Sequence, residues 1–155
     1  DKTASLFSAS CELGCITVSE DERMYKAMSQ FGEKFGIVFQ IRDDLLDIVG
    51  NINELGKPTI FDLKKNMQTL PLIHIFSKLS KSNLNKLQRK LKYHLKRSEI
   101  RLIRKMIIDE GGVDFAEEEI NRLSNEAMQE LDIFPDSPYK KALISILTFN
   151  LNRMH

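Results

Sequence analysis

The 155-residue chain is 42% hydrophobic and 29% charged, with a formal net charge of +1. It is long enough for one domain with its own core, and so even a charge leaves no footprint for a nucleic-acid binder. No run of 18 apolar residues marks a membrane span, and no signal-peptide pattern appears.

The chain opens on Asp1-Lys2-Thr3 with no Met and no lead-in, which points to a fragment of a longer protein. Glycine and proline are scarce, and apolar residues recur at helical spacing almost throughout, so the expected fold class is all-α. A first helix is expected from Lys2 to Thr17. Its two cysteines, Cys11 and Cys15, have no further Cys or nearby His to complete a zinc site. They read as buried free thiols of a reducing cytoplasm. Ser19 with Glu22 three residues on has the form of a capping box, opening a long helix from Glu20 to Val49. Asn51 to Thr69 reads as a loop, because Gly56-Lys57-Pro58 cannot continue a helix. Leu70-Pro71 opens the next helix with proline where its missing donor is harmless. Further helices are expected at 82–95, 97–110, 114–133 and 137–154, with breaks at Ser80–Ser82, Ser98, Gly111-Gly112 and Pro135–Pro138.

Charge is uneven in the second half. Lys86, Arg89, Lys90, Lys92, Lys96, Arg97, Arg101, Arg104 and Lys105 have only Glu99 as a local acid, and the next helix reverses the sign with Asp114, Glu117, Glu118, Glu119, Glu126 and Glu130. Such a pattern fits a phosphate or anionic-membrane surface or a pair of solvated, complementary helix faces. The second reading is preferred, because the basic residues are spread around the helix. His74, His94 and His155 are too scattered for a ligand set, and His74, in an apolar helix, reads as packed.

The stretch that carries chemistry is Phe39-Gln40-Ile41-Arg42-Asp43-Asp44-Leu45-Leu46-Asp47. At about 100° per residue, Gln40, Asp43, Asp44 and Asp47 share one stripe about 100° wide. Phe31, Phe35, Val38, Ile41, Leu45 and Ile48 fall mostly on the other side. Like charges at i,i+3 and i,i+4 oppose the helix by a few tenths of a kcal/mol per exposed pair, and Asp is a poor helix former. Three carboxylates on one face make best sense with a cation between them, and hard oxygen ligands suit Mg²⁺, which bridges to substrate phosphates. Residue types that bind phosphate lie around them: Lys2 with Thr3, Arg42, Lys57, and Lys64 with Lys65. A magnesium–diphosphate needs carboxylates for the metal and cations for the free oxygens.

Lys2-Thr3-Ala4, Phe39-Gln40-Ile41-Arg42-Asp43-Asp44-Leu45-Leu46-Asp47, Gly56-Lys57-Pro58-Thr59, Asp62-Leu63 and Thr69-Leu70-Pro71-Leu72-Ile73 occur in that order. Together they resemble the second half of the trans-isoprenyl (polyprenyl) diphosphate synthase family, along the whole chain to the helix Tyr139–Arg153. The resemblance implies an isoprenoid-synthase-type helical bundle. Residues 1–155 would be the C-terminal part of one domain, with the half that bears the first aspartate-rich motif absent. It implies Mg²⁺ held by Asp43, Asp44 and Asp47, with Lys2 and Lys57 on the allylic diphosphate. Thr3 and Gln40 would lie beside the reacting allylic carbon, and Phe39 would line the pocket of isopentenyl diphosphate. The implied activity is prenyl transfer from the allylic diphosphate to isopentenyl diphosphate by a cytoplasmic homodimer, the 155 residues being inactive alone.

There are departures from the family pattern. Met67 stands where a lysine is common, and Ile60-Phe61 replaces a small polar pair. The alternative is a non-catalytic helical subunit that modulates a partner synthase; intact Asp43, Asp44, Asp47, Lys2 and Lys57 oppose it. A terpene cyclase of the same fold ranks lower, since its later metal ligands include Asn and Ser. Met24, Met28 and the phenylalanines Phe31 to Phe39 read as core before prenyl tunnel.

Overall fold

The computed structural model describes residues 2–49, 69–92 and 95–151. Among these the chain is all-α with no strand, as expected. The first helices are α1 (Lys2–Ile16) and α2 (Glu22–Val49), followed by α3 (Leu70–Lys78) and α4 (Lys81–Leu91). Then come α5 (Arg97–Asp109), α6 (Gly112–Glu130), a 3-10 turn (Leu131–Ile133) and α7 (Pro138–Leu151).

The boundaries differ from expectation where capping chemistry decides them. α2 begins at Glu22, and Asp21 rather than Ser19 caps it: the Asp21 carboxylate accepts from the Arg23 backbone N–H at 2.9 Å and from the Arg23 guanidinium at 2.8 Å. Ser19 Oγ accepts from the Asp21 N–H at 3.1 Å, an ST turn just before the helix. α4 ends at Leu91, and Leu95 lies outside any helix. Ser98 is no break. It sits in the first turn of α5, where Glu99 Oε2 accepts from the Lys96 N–H at 3.0 Å. Gly112 belongs to α6, and the break falls on Glu110 and Gly111, the latter's φ of +76° being a left-handed cap that glycine adopts without strain.

The chain packs as two units, Asp1–Arg42 with Glu119–His155, and Asp43–Glu118. In the first, Ala27, Phe31, Phe35, Val38 and Ile41 form the buried flank of α2 at spacings of three and four. Ile120 and Ala127 of α6, Leu131 of the 3-10 turn and Leu147 of α7 are buried in the same unit. Lys34 of α2 donates to Glu130 of α6 at 2.8 Å, an ion pair about four-fifths shielded from solvent. In the second unit, Ile48, Leu72, Ile75, Leu91, Leu95, Ile100, Ile103 and Ile107 form one core, so α3, α4, α5 and the end of α2 share it. His74 is half-buried and stacks on Phe115 with ring centroids 4.4 Å apart, packed as expected. Cys15 is buried and Cys11 half-buried; both are free thiols.

Candidate active site

The first unit brings Thr3 and Gln40 together. Thr3 Oγ1 donates to Gln40 Oε1 at 3.2 Å, across 37 residues of chain. What permits this is a run of close backbone approaches between α1 and α2. A Cβ on Gly32 would lie 2.5 Å from the Phe7 carbonyl oxygen and 2.9 Å from Ser8 Cα. One on Gly36 would lie 2.6 Å from Ala4 Cα and 3.1 Å from Ala4 N. Gly32, Gly36 and Gln40 are spaced by four, on one face of α2, and face Phe7, Ala4 and Thr3 in reverse order. The two helices therefore run antiparallel at a distance only hydrogen side chains allow. Ser8 and Ser29 close the other end at 2.9 Å, and Ser29 donates to Glu12 at 2.8 Å. This glycine pair went unread in the sequence, where Gly-x-x-x-Gly inside a long helix was the signal for it.

Phe39 is half-buried beside Phe7 and Phe35, with centroids 5.9 and 6.5 Å away, while Phe31 and Phe35 are buried. The phenylalanine stripe is thus core up to Phe35 and partly open at Phe39. Lys2 is exposed at the start of α1.

In the second unit, the last two turns of α2 carry the carboxylates. Val38, Ile41, Leu45 and Ile48 are buried along one flank of the helix. Asp43 and Asp47 are half-buried on the other side, and Asp44 is 8% exposed. The end of this helix is held: the Arg104 guanidinium of α5 donates to the Val49 carbonyl at 3.0 Å. A cation on the last carbonyls answers both the unmet acceptor and the negative end of the helix dipole. Fifty-five residues separate the partners, and in sequence Arg104 had read as one more solvated surface charge.

Arg42, expected on the substrate, is 2% exposed and stands about 200° around the helix from Gln40, away from the carboxylate stripe. Gly56-Lys57-Pro58, Lys64, Lys65, Met67, His94 and His155 lie outside the described residues.

Among the described residues no three His, Cys, Asp or Glu side chains close on one point as a ready-made metal cage. Mg²⁺ keeps several waters and is commonly held by one or two carboxylates together with substrate phosphates. The donors that Asp43, Asp44 and Asp47 offer are hard oxygens alone, and the set fits the ion by its chemistry.

This all-α chain, its longest helix bearing an apolar flank and a carboxylate face, superposes on solved isoprenyl diphosphate synthases. The family model described as Polyprenyl synthetase matches residues 1–107, and the chain belongs to that family. The octaprenyl diphosphate synthase of Haemophilus influenzae is 29% identical over 152 residues, covering 98% of this chain and 46% of that protein. The geranylgeranyl pyrophosphate synthetase structure from Pyrococcus horikoshii superposes with a TM-score of 0.86 at 31% identity, over 98% of this chain and 46% of that one. The geranylgeranyl pyrophosphate synthase of Corynebacterium glutamicum, solved with calcium and isoprenyl diphosphate, gives 0.81 at 28%, over 99% and 48%. The chain spans about half the length of the curated relatives it matches. Among the described residues no helix is long and apolar enough to cross a membrane.

Proposed function

We propose that the complete protein is a prenyltransferase that condenses an allylic diphosphate with isopentenyl diphosphate, and that these 155 residues are the downstream half of its active site. The observation that carries the reading is the carboxylate face of α2, in a chain of the polyprenyl synthetase family. The Corynebacterium relative, solved with a divalent ion and an isoprenyl diphosphate, supports the ligand class.

In this reading Asp43, Asp44 and Asp47 hold Mg²⁺, which when bound neutralises charge on the leaving diphosphate. Lys2 and Lys57 grip its remaining oxygens. The allylic C–O bond breaks with its electron pair leaving on the diphosphate. The cation that remains is attacked by the double bond of isopentenyl diphosphate, and the new C–C bond forms as a proton departs to the released diphosphate. Thr3 and Gln40 turn oxygen lone pairs toward the allylic carbon, where positive charge develops. Their mutual hydrogen bond fixes both before the substrate arrives. Phe39 supplies an aromatic wall for the second substrate. Arg42, buried away from the carboxylate stripe, is given no role in this reading. By resemblance the protein works as a cytoplasmic homodimer.

The test is incorporation of labelled isopentenyl diphosphate into geranyl or farnesyl diphosphate by the complete protein with Mg²⁺. Mg²⁺-dependent chain extension is expected. No extension by the protein alone, with extension restored by a partner synthase, would replace this reading with that of a modulating helical subunit.

A further inference from the structure

Residues 81–105 hold ten Lys and Arg against one acid, Glu99, in a chain whose overall net charge is +1. A local charge of this size opposes its own folding by self-repulsion. Of the acids of α6, Glu119 and Glu126 are paired with Arg122 of the same helix, and Glu130 with Lys34. Within the basic segment Lys90 reaches Glu99 at 3.3 Å and Lys105 reaches Asp109 at 2.7 Å. Lys86, Arg89, Lys92, Lys96, Arg101 and Lys105 are all exposed, while Leu91, Leu95, Ile100 and Ile103 anchor the inner faces in the core.

The outer face of α5 is not purely charged. Arg101, Lys105 and Ile108 follow at i, i+4 and i+7, one strip of the helix. Ile108 is 45% exposed, and Leu102 beside the strip is 67% exposed. Arg101, Arg104, Lys105, Ile108 and Asp109 line a shallow groove of about 230 Å³. Cations alone would serve a nucleic acid or an acidic protein equally. Cations interleaved with bare aliphatic side chains match the boundary between anionic headgroups and acyl chains.

We propose that the α4–α5 pair is a docking surface for an anionic lipid bilayer, its Lys and Arg side chains meeting headgroup phosphates and Leu102 with Ile108 entering the acyl boundary. The proposal stands on charge and exposure and is independent of the reaction assigned above. Juxtamembrane Lys and Arg contribute about 1 kcal/mol each, roughly a fivefold change in binding per residue.

The test is co-sedimentation of the complete protein with vesicles of phosphatidylcholine alone and of phosphatidylcholine with phosphatidylglycerol. Binding to the anionic vesicles alone is expected, falling steeply with salt. Arg101→Gln with Lys105→Gln should weaken it about 25-fold, with an unchanged helical circular-dichroism signal. Leu102→Ser should remove the part that survives high salt. Equal binding to neutral vesicles, no binding at low salt, or full binding by the double variant would overturn the proposal. So would tighter capture by soluble polyglutamate than by vesicles, which would assign the surface to an acidic protein.

Discussion

Gly36→Ala adds one methyl group, and the structure says where it goes: 2.6 Å from Ala4 Cα and 3.1 Å from Ala4 N. Carbon atoms settle at about 3.5–4.0 Å, so α1 must retreat by roughly 1 Å. The Thr3–Gln40 hydrogen bond, 3.2 Å long already, has no such slack. Stability is a contest between overpacking, about 1–3 kcal/mol, and the better helix propensity of alanine, which offsets up to about 1 kcal/mol. A drop of about 0–2 kcal/mol is the balance. Catalysis is more sensitive, since a misplacement near 1 Å can cost about a hundredfold. We expect kcat for isopentenyl diphosphate incorporation to fall by one to two orders of magnitude, with melting temperature lowered by no more than several degrees. A double-mutant cycle with Thr3→Val separates positioning from general damage. If Gly36 acts through Thr3, the second substitution costs little once the first is made. Fully additive losses, or wild-type kcat in Gly36→Ala, would refute the reasoning. Should that variant not fold, Gln40→Leu removes the acceptor of the same hydrogen bond without a backbone clash and enters the same cycle.

Asp43→Ala in the complete protein should lower kcat by about a hundredfold or more, because a charged ligand is lost; near-normal turnover in the incorporation assay would remove Asp43 from the mechanism. Gly111→Ala meets open space, its nearest atoms 4.0 Å away, so the cost is the left-handed backbone alone. That is about 1–2 kcal/mol, visible as a melting temperature lower by several degrees. The Glu99 carboxyl is held below its ordinary range by the Lys96 N–H it accepts, and then by Lys90. A depressed acid contributes stability above its unfolded pKa and loses it as pH falls through the folded one. Wild type should therefore outlast Glu99→Gln on heating at pH 6, and the gap should close on acidification below about pH 4; a gap constant with pH would contradict the cap.

What could be read in advance was whatever one helix decides by itself. Angular arithmetic along α2 separated Asp43 and Asp47 from Val38 and Leu45, and the all-α class followed from the same periodicity. The cap of α2 was misread because Ser19 and Asp21 both have the chemistry to open a helix; the Asp21 carboxylate prevailed by taking backbone and side chain of Arg23 together. Relations between distant segments leave no local pattern, since each depends on how separate helices lie against one another: the meeting of Thr3 with Gln40 was reached only through the family resemblance, and that of Arg104 with Val49 was not read. Arg42 shows the converse: a cation next to a carboxylate motif in sequence stands buried on the far side of its helix.

The Arg104 bond has a mechanical consequence. A helix terminus ordinarily unwinds and re-forms, because its final carbonyls find water as readily as protein. Here the final turn of α2, with Asp47 in it, is tied to a second helix whose own inner face is packed. Unwinding that turn means breaking a tether as well as a ladder, so, if the proposed function holds, the acidic end of α2 would lose less entropy on meeting a metal-bound diphosphate.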